Sequence, residues 1–245
     1  MRRLGWSSSL VLLVVLFFTA SCEKEESPVA LPPKGSSQPG RVVMGEDYQT
    51  QGFWDFESNS LVYTSPVNSW DLALETSASG YHVWMNGGKG INLLNTHSTE
   101  FAAVKDLPAG TKETDWGYDD PTGRIDKTYA GDWCDTKTRK TKGEIFIARA
   151  GSAPSYSYYK LQFTAVTDKG YTLLTAPLDG TTGREVILTK DTAYSRVYFS
   201  FTGNQNPRPD PPKSEWDVVF TRYRHLYYGK DGQADTPYVV TGAML

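Results

Sequence analysis

Apolar and polar residues alternate along most of this chain with a period of two. In Trp70-Asp71-Leu72-Ala73-Leu74-Glu75, Trp70, Leu72 and Leu74 fall on one face and Asp71, Ala73 and Glu75 on the other. That is the signature of a half-buried strand. The stretch recurs as Trp216-Asp217-Val218-Val219-Phe220-Thr221. An aromatic strand and a polar turn precede each copy: Phe53-Trp54-Asp55-Phe56 before the first, Val197-Tyr198-Phe199-Ser200-Phe201 before the second. The same order of aromatic strand, turn and Trp-Asp strand appearing twice indicates a duplicated unit. Asp is depleted in strands, so its place at the head of both copies points to a hydrogen bond that fixes the strand's entry.

The pattern predicts further strands at residues 41–44, 60–64, 80–86, 144–149, 156–166, 171–175, 184–189, 194–201 and 236–245, with short apolar pieces at 91–94 and 101–104. Within 156–166, Tyr159, Leu161 and Phe163 share a face opposite Lys160 and Gln162. No stretch keeps a 3.6-residue period for three turns, so the predicted class is all-β. Asn86-Gly87-Gly88-Lys89-Gly90 breaks the alternation with a turn that needs glycine. Residues 107–141 mix aspartates with Gly, Thr and isolated aromatics, a long connection of extended hairpins or loops. A proline-rich loop at 204–212 cannot join a central strand. The apolar strand at 236–245 either docks into the preceding sheet or belongs to a repeat cut short.

The first residues change the picture. Arg2 and Arg3 precede an apolar run from Leu10 to Phe18, then Thr19-Ala20-Ser21-Cys22. The run is too short to span a bilayer comfortably, and small residues mark a cleavage point. The segment resembles a bacterial lipoprotein signal, with Cys22 lipidated as the mature N-terminus; a secretory peptide cut nearby, with Cys22 incidental, is the bland alternative. Glu23-Lys24-Glu25-Glu26 looks like the acidic signal of lipoproteins sent to the outer face of the outer membrane. The organisation expected is a signal at 1–21, a Gly/Ser/Pro-rich tether at 22–40, a β domain at 41–193 and a partial second repeat at 194–245. A net charge of −3 argues against nucleic acid as a partner.

The order of aromatic strand, Trp-Asp-Leu-Ala-Leu, Asn86-Gly87-Gly88, Tyr158-Tyr159-Lys160-Leu161-Gln162-Phe163 and Glu215-Trp216-Asp217-Val218-Val219-Phe220-Thr221-Arg222-Tyr223 resembles the HmuY-like lipoproteins of Bacteroidetes. The resemblance runs from about Tyr48 to Phe163, with a second copy from Tyr194. It implies an antiparallel β fold and a haemophore for iron acquisition: a cell-surface lipoprotein that holds one haem and passes it to an outer-membrane receptor of the TonB-dependent class. In the family two histidines from the long region hold the iron, and some relatives use methionine. Here residues 89–157 contain only His97, and no Met lies between Met85 and Met244.

The chain has three histidines, His82, His97 and His225. His82 and His97 are the candidate haem-iron ligands, since imidazole is the commonest haem anchor; an edge-strand or surface role is the simpler account of each. Trp116, Tyr118, Tyr129 and Trp133 are candidates for an aromatic cleft around a porphyrin or a sugar, set against ordinary core packing. Cys134 reads as a small buried residue, because its neighbours Asp132 and Asp135 would not activate a thiolate. The motifs Gly-x-Ser-x-Gly, His-Glu-x-x-His and the P-loop are missing, so no enzyme is expected. The alternative to a haem protein is a surface interaction or structural lipoprotein that kept the scaffold and lost the iron ligands.

Overall fold

The computed structural model describes residues 39–203, 206–230 and 235–245. The signal at 1–21, Cys22 and the tether as far as residue 38 lie outside the described residues. From Gly40 onward the strands are β1 (Thr50–Asp55), β2 (Ser60–Pro66), β3 (Leu72–Glu75), β4 (Val83–Met85), β5 (Asn92–Asn95), β6 (Ile145–Ser152), β7 (Ser155–Val166), β8 (Gly170–Pro177), β9 (Arg184–Thr189), β10 (Arg196–Phe199), β11 (Val218–Tyr227) and β12 (Thr236–Met244). They form three sheets, ordered β12-β11-β1-β2, β10-β3-β4 and β5-β6-β7-β8-β9. Every ladder is antiparallel. The class is all-β.

The main core lies between the three-stranded and five-stranded sheets. Leu72 and Leu74 of β3, Val83 and Met85 of β4 and Phe199 of β10 meet Phe146, Leu161, Phe163, Leu173 and Leu188. Alternation explains which side each residue takes. In β6, Phe146 and Ala148 enter this core while Ile145 and Ile147 fill two smaller clusters on the sheet's other face. Both faces of β6 are therefore buried, and the strand reads as a nearly continuous apolar run. In β7, Lys160 takes the face opposite Leu161 and Phe163, as predicted, yet it is fully buried. Its ammonium donates to the carbonyls of Phe101 and Val104. Residues 101–104, a short apolar piece in the sequence, form this covering turn. Residues 41–44 carry no ladder.

The duplication has an unforeseen geometry. The two copies exchange partners. β3, which follows Trp70-Asp71, pairs with the second copy's aromatic strand β10, and β11, which follows Trp216-Asp217, pairs with the first copy's aromatic strand β1. The contacts repeat almost atom for atom. The Asp71 N–H donates to the Phe199 carbonyl at 2.8 Å, and its Oδ2 accepts from the Phe201 N–H at 2.8 Å. The Asp217 N–H donates to the Trp54 carbonyl at 2.9 Å, and its Oδ2 accepts from the Phe56 N–H at 2.7 Å. Trp70 meets Tyr198 edge-to-face at 5.1 Å, and Trp216 meets Phe53 at 4.9 Å. Each aspartate thus grips one carbonyl and one N–H of the neighbouring segment, the hydrogen bonding that its position at the strand's head predicted.

This exchange corrects the division expected at residue 193. Residues 194–245 do not stand apart as a second repeat, because β10 completes the sheet of β3 and β11 completes the sheet of β1; Gly40–Leu245 is one compact unit. The last strand docks into the preceding sheet, β12 pairing along the whole of β11. The proline-rich loop stays out of the sheets, but Pro207, Pro209, Asp210 and Pro211 are buried. The Pro209 carbonyl accepts from Gln51 Nε2 and Ser65 Oγ on β1 and β2.

The Asn-Gly-Gly turn closes the first Trp-Asp unit onto β11. Asn86 Nδ2 donates to the Val67 and Trp70 carbonyls at 2.8 and 2.9 Å, and its Oδ1 accepts from the Lys89 N–H. A Cβ on Gly88 would lie 2.3 Å from the Arg222 carbonyl oxygen, so only glycine permits this approach.

Candidate functional site

Residues 107–141 form no ladder strands; two single 3-10 turns, Glu113–Asp115 and Ile125–Lys127, punctuate them. Together with the end of β5 and the approach to β6 they enclose an open cleft of about 670 Å³. Asn95, His97, Thr111, Asp115, Tyr129 and Glu144 are in its wall. The cleft is built on one hydrogen-bonded corner. Asn95 Nδ2 donates to Glu144 Oε2 at 2.9 Å, Asn95 Oδ1 accepts from the His97 N–H at 2.9 Å, and His97 Nδ1 lies 3.0 Å from Glu144 Oε1. The Asn95 amide and the His97 ring hold the Glu144 carboxyl below its ordinary range. An ionised carboxylate only accepts, so Nδ1 carries a ring proton, and in the neutral imidazole the lone pair is then left on Nε2. The His97 side chain is 76 % exposed.

The other sequence-predicted residues disperse. His82 is not in this cleft. It lies just before β4, stacked on Tyr81 at 4.2 Å, with Nδ1 2.7 Å from Glu75 Oε2. His82 and His97 therefore do not share a cavity as a ligand pair. The four aromatics do not form one cleft either. Trp133 is in the main core, its ring 4.5 Å from Phe163 and its Nε1–H donating to the Tyr81 carbonyl at 2.9 Å. Trp116 packs with Leu94 and Ile147 under the Arg149 guanidinium, and Tyr118 packs on the core's edge beneath Arg224. Tyr129 alone reaches the loop cleft. Burial drew the rest inward because large rings gain most by leaving water. Cys134 is buried too, and burial pushes its thiol up.

No family model, curated protein or solved structure matches the chain.

A second cavity escaped the sequence reading. It holds about 290 Å³ and is bounded by Trp70 and Trp216, one from each Trp-Asp unit, with Phe53, Tyr198, Trp84 and Asp210 among its other walls. The repeated tryptophans were the available signal, but the cavity exists only because the copies exchange strands. Two carboxyls, the half-buried Asp119 and the buried Asp210, border it. Burial pushes Asp119 up to about 6, against the pull of the Met85 and Tyr129 N–H groups that it accepts from. Burial likewise raises Asp210 to about 6, although the Tyr198 hydroxyl, donating at 2.9 Å, pulls it back.

These shifts set a pH dependence. An unfolded Asp releases its proton near pH 4. The folded carboxyl holds it to about 6, so between these values the folded state binds more protons. Its stabilising share is complete below pH 4 and lost as pH rises through 6. Asn at position 210 does not titrate. The stability difference between Asp210→Asn and the parent chain should therefore move in the variant's favour by about 2 kcal/mol from pH 4 to pH 7. Urea unfolding of both proteins across that range checks it, and a difference independent of pH would contradict the assignment.

Among the described residues, no group of three or more His, Cys, Asp or Glu side chains could hold a bare metal ion. In the loop cleft a single imidazole, that of His97, has its Nδ1 anchored on the Glu144 carboxylate, the arrangement that orients a ligating histidine.

Proposed function

We propose that the chain is a non-enzymatic haemophore-like protein that takes one haem or related tetrapyrrole in the loop cleft, with His97 as the axial ligand. On this reading it is a lipoprotein anchored through Cys22 at the outer membrane, facing the cell exterior and handing its cargo to a TonB-dependent receptor. The observation that carries the reading is the Glu144–His97 pair standing in the wall of a 670 Å³ cleft. That volume falls within the ordinary range for cofactor sites. Tyr129, in the same wall, supplies the one phenol that could approach the iron from the cleft. Bound haem would supply the iron and the apolar macrocycle; the chain's part is to orient one imidazole and hold its tautomer.

A second reading is a surface interaction protein on the same scaffold, without haem. Two observations favour it: only one imidazole lines the cleft, and Asp115, Asp132 and Glu144 would repel the carboxylates of a haem. Haemin titration of the full chain, followed by visible absorption in both oxidation states, separates the two. The haemophore reading expects a saturable one-to-one Soret change that His97→Ala reduces at least tenfold in affinity and His82→Ala leaves alone. A spectrum equal to the sum of free haemin and protein would establish the second reading instead.

A further inference from the structure

We propose that the cavity between the two Trp-Asp units is a binding site for a single neutral sugar ring, a hexopyranose free or at the end of a glycan. It is separate from the loop cleft, sharing none of that cleft's lining residues.

The walls hold unspent hydrogen-bonding capacity. Asp210 is 4 % exposed, and while its Oδ2 accepts from Tyr198, its Oδ1 has no partner. The indole Nε1–H groups of Trp84 and Trp216 are also buried without partners. Buried polar atoms are rarely left unpaired, because each costs free energy equal to its lost hydration. Arg222 Nε, on a fourth lining residue, is unpartnered as well, and an acceptor and three donors on the residues around one cavity, all unused, call for an occupant that both donates and accepts.

Charge narrows the class. Arg196 already lies over the Trp84 ring at 4.4 Å, and Arg224 is in the same wall, so a cationic guest would meet like charge. An anionic guest would meet Asp119 and Asp210. The guest is neutral. Shape narrows it again. The ring pairs Trp70–Tyr198 and Trp216–Phe53 cross at 70° and 81°, so they form no parallel slot for a flat heteroaromatic base. A cavity of about 290 Å³ sits at the small end of ligand sites and is less than half the size of the loop cleft. A pyranose meets all of these demands. It has apolar C–H faces for indole rings, hydroxyls that donate to a carboxylate and accept from N–H groups, and no charge.

The test uses the full chain in detergent, titrated separately with D-glucose, D-galactose, D-mannose and N-acetylglucosamine. Tryptophan emission and saturation-transfer NMR report binding. At least one sugar should give a saturable emission change, with transfer to its ring protons. Trp84→Phe and Asp210→Asn, each confirmed as folded by its thermal transition, should weaken that binding about tenfold. His97→Ala should leave it unchanged, and excess haemin should not compete. If none of the four sugars binds at millimolar concentration, or if both cavity variants bind as the parent does, the proposal is overturned. Failure of haemin binding alone bears only on the loop cleft.

Discussion

Asp71→Ala should destabilise the protein by roughly 3–5 kcal/mol, the cost of breaking a buried charge pair from one side. Asp71 is 1 % exposed, and its carboxylate gathers three contacts, Lys89 Nζ at 2.7 Å, Ser200 Oγ at 2.9 Å and the Phe201 N–H, while its backbone N–H donates to the Phe199 carbonyl. Without the side chain, the half-buried Phe201 N–H is left unanswered and the lysine loses its counter-charge. For a folded unit of this size the melting temperature should fall by roughly 10 °C. Asp71→Asn keeps an oxygen for Phe201 and should cost less. Asp217 makes the matching bond to Phe56 at an exposed site, so Asp217→Ala should cost only about 1 kcal/mol or less. The ranking of the three variants in thermal melts is the decisive reading. Equal losses from Asp71→Ala and Asp217→Ala would mean that the buried clamp adds nothing to the pairing.

Trp133→Ala should cost about 3–5 kcal/mol as well, by a different mechanism. The indole is 2 % exposed, lies 4.5 Å from Phe163 and 6.3 Å from Tyr171 between ring centroids, and ties the Tyr81 carbonyl to the loop region. Truncation leaves a cavity beneath the loops and an unpaired carbonyl. Trp133→Phe fills most of the space and forfeits only the N–H bond, so it should lose about 1–2 kcal/mol. Denaturant unfolding should show a lower midpoint with an unchanged slope for both. A Trp133→Ala protein as stable as the parent would return this residue to the candidate cleft and remove it from the core.

How much of this was legible in the chain depended on distance. Arg184–Thr189 was bounded correctly because its alternation and flanking turns are local. The face shared by Leu161 and Phe163 followed from period two alone, and the structural use of the Trp-Asp aspartates from the rarity of Asp at a strand's head. The burial of Lys160 was not legible, because the turn that covers it comes from residues 101–104, about sixty positions away. The loop aromatics failed for the same reason. Nothing near Trp116 or Trp133 says which sheet face will lie beneath it, while Tyr129 stayed at the cleft. For the candidate site, one histidine of two was placed in a cleft. The second cavity was invisible, since it needs Trp70 and Trp216 together and the order of the repeats does not say that they trade partners.

That trade has a consequence for how the chain reaches its folded state. β1 and β2 can form a hairpin as soon as residue 66 is available, but the other edge of β1 waits for β11, more than 160 residues later. β3 waits similarly for β10. Closing such long loops is slow, and until then the aromatic edge of β1 and the aliphatic edge of β3 stand open to any passing chain. The two units complete each other, and neither is finished before the other has been made. A chain emerging from its N-terminus must therefore keep the free edges of β1 and β3 unpaired until the C-terminal quarter arrives.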